Sequence, residues 1–427
     1  MVDPRPPFVS LDRQLVPTIE VIERPPAERP THDTLVAIAE WLVGPARRVP
    51  SGLRAFDEFS WRMLAAGLPL FRVTLHVSTL HPQYLGATFV WFRSSGQTSF
   101  RLIAHELADR IRHEDNPVAR VVIGGETLRR RIVPDAVLDF PILHDLNEQG
   151  ATDYLALPVA SAHSARNHMV SYVTDRPGGF MESEVADVTG VSQRLSVLVD
   201  MFSQRAIARN VLSAYLGSKT GPKVLDGQIR RGTGEEISAV LWSSDLRGFT
   251  ERSDRLPGQR MIALLNALFD AQAKAIHEHG GEILKFIGDG LLAIIPIEAP
   301  VAAAGAARHA LAAAWEALAA VRELGAALVA QDEPPLQIVV ALHAGTVIYG
   351  NIGAANRLDF TVIGPAVNLV SRIEAVAKTL NLPIVVSDDF ARVYGKPLQS
   401  LGLHRLRGLS APHELFAPQV AAASIVE

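Results

Sequence analysis

The stretch spanning residues 237–297, ISAVLWSSDLRGFTERSDRLPGQRMIALLNALFDAQAKAIHEHGGEILKFIGDGLLAIIPI, constrains the fold of this chain more than any other. It opens with an apolar run ending in a carboxylate, Asp245, and continues through the tight segment Leu246-Arg247-Gly248-Phe249-Thr250 into a helical pattern. It closes with a second apolar run holding Gly288-Asp289-Gly290, an acid between two glycines at an expected hairpin tip. A central hairpin lying next to the first strand brings Asp245 and Asp289 side by side, although 44 positions separate them. Two carboxylates at the ends of neighbouring strands, beside a turn with free N–H groups, suit a pair of divalent metal ions carrying a triphosphate. The ordinary role of a lone strand-end Asp is a helix cap, so the assignment depends on what surrounds the pair.

Periodicity places this stretch in a domain over residues 236–418. The pattern reads strand (237–244), helix (257–279), hairpin (281–297), helix (301–328), hairpin (336–364), helix (365–378), strand (383–387), a short helix and a final hairpin near 400–417. The opening strand, helix, hairpin, helix, strand order resembles a ferredoxin-like core with additions, an α+β fold that leaves one sheet face open for a ligand.

Upstream the pattern is different. Residues 1–34 are Pro-rich and charged, which predicts a disordered or extended lead-in. Helical spacing over 35–43 and 53–68 gives way to alternating or β-branched runs at 71–77, 87–92, 102–103, 121–123, 154–159 and 168–174. This predicts an α+β domain over 35–185, which in size and order resembles a GAF- or PAS-type sensory module; that is a fold-level analogy. A signalling helix and linker follow over 186–235, where Val191, Leu195, Leu198 and Phe202 form a seam. Such a seam suits either a parallel coiled coil between two subunits or a helix packed on its own domain. Residues 419–427 form a tail.

Composition removes several function classes. With 427 residues, 48% apolar and 20% charged, the chain is an ordinary globular protein long enough for two or three cores. A net charge of -4 gives no sign of a nucleic-acid partner. The absence of cysteine excludes disulfides, thiolate metal sites and thiol nucleophiles. No apolar h-region opens the chain, and the most apolar long segment, 301–330, is broken by Arg308, Glu316, Arg322 and Glu323. A cytoplasmic protein without a membrane span is expected.

The segments SSDLRGFT, KFIGDG, HAGTVIYGNIG and FTVIGPAVNLVSRIE, in this order and spacing, resemble the catalytic domain of class III adenylate and guanylate cyclases over nearly all of residues 236–418. The resemblance implies that Asp245 and Asp289 bind two divalent metal ions, Mg²⁺ or Mn²⁺, that the Leu246 carbonyl also reaches a metal, and that the N–H groups of Gly248, Phe249 and Thr250 hold the β- and γ-phosphates. It further implies that Asn368 orients the ribose and Arg372 stabilises charge developing at the α-phosphoryl. These two are four apart and share a helix face.

Lys285 matches the family's purine-reading lysine, whose ammonium suits adenine N1, where guanylate cyclases usually place a glutamate. Its implied partner is Thr361, seen in the subgroup often described as bicarbonate-responsive, so ATP is the favoured substrate and bicarbonate a candidate regulator. Arg407 stands where the family has a triphosphate-contacting lysine, with Arg405 competing for that register. Because the family divides its two residue sets between subunits, a head-to-tail C2 homodimer is implied. The alternatives are a guanylate cyclase and a catalytically silent nucleotide-binding module; the intact set Asp245, Asp289, Asn368 and Arg372 favours an enzyme.

Other signals carry less. Gly217-Ser218-Lys219-Thr220 lacks the preceding spacing of a Walker A loop. His277-Glu278-His279 is too closely spaced for a zinc helix. Gly280-Gly281-Glu282 does not continue into a diguanylate cyclase signature, and His343, in an apolar strand, reads as a satisfied core residue.

Overall fold

The computed structural model describes residues 18–78, 84–105, 116–162, 166–217, 220–227, 230, 232–330, 333–354 and 356–419. The chain divides into two compact units, residues 1–211 and 212–427. Of the segments singled out above, residues 1–17 of the lead-in, residues 420–427 of the tail, and Ser218 and Lys219 lie outside the described residues.

In the first unit, strands Thr18–Glu23 (β1), Arg72–Ser78 (β2), Tyr84–Phe92 (β3), Gln97–Ala104 (β4), Leu128–Arg131 (β5), Asp153–Val159 (β6) and His168–Thr174 (β7) form one sheet in the order β1-β4-β3-β2-β7-β6-β5. Every neighbouring pair is antiparallel. The lead-in therefore contributes an edge strand, paired Glu20 to Phe100 and Glu23 to Gln97, because four of the six residues of TIEVIE are β-branched.

Helices Leu35–Val43 (α1) and Gly52–Ala65 (α2) cover one face, and Pro117–Val122 (α3) and Pro141–Glu148 (α4) the other. Strand alternation serves both layers: Leu155, Leu157 and Val159 of β6 join the first core, while Tyr154 and Ala156 join the second. The expected strand at 121–123 is corrected here. Asn116 caps a helix by accepting a hydrogen bond from the Val118 N–H, and Pro117 occupies its first turn.

The long helix Glu182–Leu216 (α5) settles the seam on one of its two alternatives. Val188, Val191, Leu195, Leu198 and Val199 are buried in the first unit's own core, with Phe202 partly buried against it. That face is consumed within the chain and is not free for a coiled coil.

The second unit begins with the last turn of α5 and a short helix, Thr220–Leu225 (α6). Its core elements are Gly234–Leu246 (β8), Phe249–Arg255 (α7), Gly258–Glu278 (α8), Glu282–Ile287 (β9), Gly290–Pro296 (β10), Ala303–Val329 (α9), Ile338–Ala354 (β11), Arg357–Ile363 (β12), Pro365–Leu380 (α10), Ile384–Ser387 (β13), Asp388–Tyr394 (α11), Gln399–His404 (β14) and His413–Ala417 (β15). The sheet order is β14-β15-β13-β11-β8-β10-β9, with β12 paired to β11. The central four, β11-β8-β10-β9, joined in sequence by helices and one hairpin, make the ferredoxin-like arrangement. Val240, Trp242 and Leu246 of β8 pack under α8 and α9, whereas Ala239 and Leu241 join the opposite layer with Leu369, Val370 and Ile373 of α10. Both faces of the β8 body are thus buried.

Candidate active site

Asp245 is the penultimate residue of β8, and pairing on both sides fixes its position. On one side Val339 of β11 is its partner; on the other, Leu291 of β10 pairs with Ser244, so Gly290 lies opposite Asp245 and Asp289 one residue beyond. The two glycines have separate reasons. Gly288 adopts φ 63° at the first position of a two-residue hairpin loop, a conformation glycine takes without strain. A Cβ on Gly290 would sit 2.4 Å from the Ser244 carbonyl oxygen, so the close approach of β10 to β8 needs a bare backbone. The outcome is direct contact between the acids. Burial, the negative charge of Asp245 and a hydrogen bond to it push the Asp289 carboxyl above the usual range; a backbone hydrogen bond and the charge of Lys378 act the other way.

Beyond Asp245 the buried Leu246 leads to Gly248, which takes left-handed φ 67°, ψ 22° and begins α7. The N–H groups of Gly248, Phe249 and Thr250 therefore sit at a helix start, where backbone donors lack intrahelical acceptors. Two hard carboxylates, a strand-end carbonyl and these donors match what Mg²⁺ with a bound phosphate requires, since that ion takes one or two carboxylates and completes its shell with phosphate and water. No group of three or more His, Cys, Asp or Glu placed to hold a metal ion is found among the described residues, and Asp245 with Asp289 supplies two carboxylates.

Two neighbours of the pair had no sequence signal. Lys378 of α10 places Nζ 2.7 Å from Asp245 Oδ2 and 3.1 Å from Glu374 Oε1. Glu374 in turn accepts a hydrogen bond from Ser243 Oγ. Burial opposes the Lys378 ammonium, but its hydrogen bonds and the charges of Glu374 and Asp245 hold its pKa above the ordinary value. Arg247 donates to the Asn381 side chain and to the Ala377 carbonyl, tying the end of α10 to the end of β8.

The second residue set lies elsewhere. Lys285, on β9 opposite Leu292, is exposed and pairs with Asp359 Oδ2 at 2.7 Å. Asp359 and Thr361 are two apart on β12 and share a face, so the lysine's anchor is the acid two residues before the threonine singled out in the sequence. Hydrogen bonding and the charge of Lys285 hold the Asp359 carboxyl below the usual range. Asn368 and Arg372 are exposed on α10. At about 100° per residue, Arg372 and Glu374 stand about 200° apart around the helix. Because Glu374 and Lys378 face β8, Arg372 faces away from the aspartates of its own chain. Arg405 and Arg407 are exposed in the β14–β15 connection, and β15 is three strands from β8 in the sheet.

His343 is buried with Nδ1 2.8 Å from Ser387 Oγ, and burial lowers its pKa to about 4, as befits a core residue. His279 pairs with Glu316.

The second unit thus has a β11-β8-β10-β9 core with an acid pair at one end of β8. Residues 234–399 match the family model of the adenylate and guanylate cyclase catalytic domain. An adenylate cyclase of Anabaena cylindrica is 32% identical over 149 residues, 35% of this chain and 29% of that protein. An uncharacterized protein of Mycobacterium tuberculosis is 27% identical over 248 residues, 57% of this chain and 42% of that protein. The crystal structure of the adenylyl cyclase CyaB from P. aeruginosa aligns at 25% identity with a TM-score of 0.41, covering 45% of this chain and 100% of that one. The matched stretches span less than half the length of these curated relatives.

Proposed function

We propose that this chain is an adenylate cyclase that converts ATP to 3′,5′-cyclic AMP and pyrophosphate at sites shared by two copies of its second unit. The observation that carries the reading is the contact between Asp245 and Asp289, built by a hairpin in which Gly288 makes the turn and Gly290 allows the close approach of β10 to β8. Asp245, Asp289 and the Leu246 carbonyl would hold two divalent ions, Mg²⁺ or Mn²⁺, which when bound acidify the ribose 3′-hydroxyl and neutralise the leaving pyrophosphate. The N–H groups of Gly248, Phe249 and Thr250 take the β- and γ-phosphates. The 3′-oxygen bonds to the α-phosphorus, the α–β bridging P–O bond breaks, and the hydroxyl proton passes to solvent.

Arg372 supplies charge to the α-phosphoryl and Asn368 orients the ribose, both from the second copy, since Arg372 faces away from the acids of its own chain. Arg407 of that copy contributes to phosphate binding. Lys285 donates to adenine N1, with Thr361 on the adjoining strand face. One observation favours the second reading, GTP: the Asp359 carboxylate beside Lys285 is an acceptor that guanine N1–H and N2–H could use.

The first unit is proposed to be a GAF- or PAS-like sensor acting through α5, with bicarbonate a candidate effector of the catalytic unit. No helix among the described residues is long and apolar enough to cross a membrane, which agrees with a cytoplasmic assignment. Purified protein should form cyclic AMP from ATP faster than cyclic GMP from GTP with Mg²⁺ or Mn²⁺, and Asp289→Ala should abolish both. In mixed dimers of Asp245→Ala and Arg372→Ala chains, one intact shared site should restore turnover; absence of rescue would refute the shared site.

A further inference from the structure

The Asp245 carboxylate already has a cation. The Lys378 ammonium lies 2.7 Å from Oδ2, and the same nitrogen is 3.1 Å from Glu374, one helical turn before it on α10. Glu374 is fixed by Ser243 Oγ, and the end of α10 is fixed by Arg247 through Asn381 and Ala377, so the lysine stem starts from an anchored backbone. Two aspartates in contact repel each other, and Lys378 offsets part of that repulsion from within the chain. A divalent ion on Asp245 would compete with the ammonium for the same carboxylate, and the two cations would repel each other. Glu374 already pairs with the same nitrogen and can keep it when Asp245 is taken by another cation.

We propose, resting on the assignment of Asp245 and Asp289 as the metal pair, that Lys378 is an internal counter-cation: it holds Asp245 while no divalent ion is bound and moves to Glu374 when one arrives, thereby setting the affinity of the site for its first metal. Lys378 is then a positioning residue, since it acts on the metal through Asp245 and touches no substrate. Glu374 works with it, as the group that makes its withdrawal cheap.

Mn²⁺ binding to the full chain without nucleotide, followed by electron paramagnetic resonance, tests this apart from turnover. Lys378→Gln should tighten Mn²⁺ about tenfold, since a competing unit charge at contact distance is removed. Lys378→Arg should keep wild-type affinity, and Glu374→Gln should weaken it, because the lysine then has Asp245 alone. Thermal unfolding in EDTA checks that each variant is folded; should Lys378→Gln fail to fold, the weaker binding expected of Glu374→Gln against the unchanged binding of Lys378→Arg still decides. Unchanged or weaker Mn²⁺ binding in folded Lys378→Gln overturns the proposal, as does tighter binding in Glu374→Gln. The underlying metal assignment fails separately: Mn²⁺ affinity retained in Asp245→Asn with Asp289→Asn would overturn both, whereas affinity lost there but unmoved in Lys378→Gln overturns only the role of the lysine.

Discussion

Asp289→Asn should stabilise the metal-free protein while removing activity. Burial and Asp245 raise the Asp289 pKa above its model-compound value of 3.8, so the folded state holds a proton more tightly than the unfolded chain. For an acid with a raised folded pKa, stability falls as pH rises from about the unfolded pKa through the folded one. Above that window, at neutral pH, the metal-free fold carries the whole repulsion. Two like charges at about 4 Å cost roughly 1 kcal/mol in water and about 4 kcal/mol at an effective dielectric of 20. Partial exposure of Asp289 and the opposing charge of Lys378 bring the net to about 1 kcal/mol. For a unit of this size that corresponds to a rise of about 2–4 °C in Tm. Thermal unfolding in EDTA at pH 7.5 should show this gain for the Asn variant, and the difference should shrink as the pH is lowered and wild-type Asp289 takes up its proton. Saturating Mn²⁺ should stabilise wild type and not the variant. A lower Tm for Asp289→Asn in EDTA, or a gain that persists unchanged as the pH is lowered through the acid range, would refute the like-charge account of the pair.

Two further outcomes follow from the same geometry. Asp359→Asn frees Lys285 from its carboxylate, so kcat/KM for ATP should drop severalfold with the loss mainly in KM, and any GTP turnover should drop more; improved GTP use, read in a two-substrate assay, would argue against Asp359 as a guanine acceptor. Gly290→Ala drives a methyl to within 2.4 Å of the Ser244 carbonyl. Overpacking of that kind costs about 1–3 kcal/mol, and Asp289 is displaced with it; both Mn²⁺ affinity and Tm should fall, and a variant with wild-type values would show that the close approach is dispensable.

Much of the second unit was legible because its local and global signals agree. The alternating apolar run before Asp245, the glycine-bracketed turn at Asp289 and the 3.6-residue period over Pro365–Leu380 each specify one element, and the elements have one sensible arrangement. The first unit was less legible where a signal was ambiguous. Val121-Val122-Ile123 has strand composition, yet the Asn116-Pro117 start and burial of Val121 in the second core make it helical. The seam of α5 gave the correct face and could not say what covers it, since packing on one's own sheet and on a partner helix demand the same residues.

The meeting of Asp245 and Asp289 was legible in the sequence, and the groups packed beside them were not. Glu374 and Lys378 read as an ordinary i,i+4 pair on a helix surface, and Asn368 and Arg372 read the same way on the same helix. Sequence spacing assigns each pair a face but not a neighbour. The packing of Leu369, Val370 and Ile373 on β8, with the bonds of Glu374 to Ser243 and Lys378 to Asp245, identifies which face meets β8. Once that face is known, the other points outward with Asn368 and Arg372. One helix therefore balances the acids of its own chain with Lys378 and presents Arg372 away from them. That is the arrangement expected if the arginine's target is the acid pair of another copy, and it ties the dimer reading to the bond between Ser243 and Glu374.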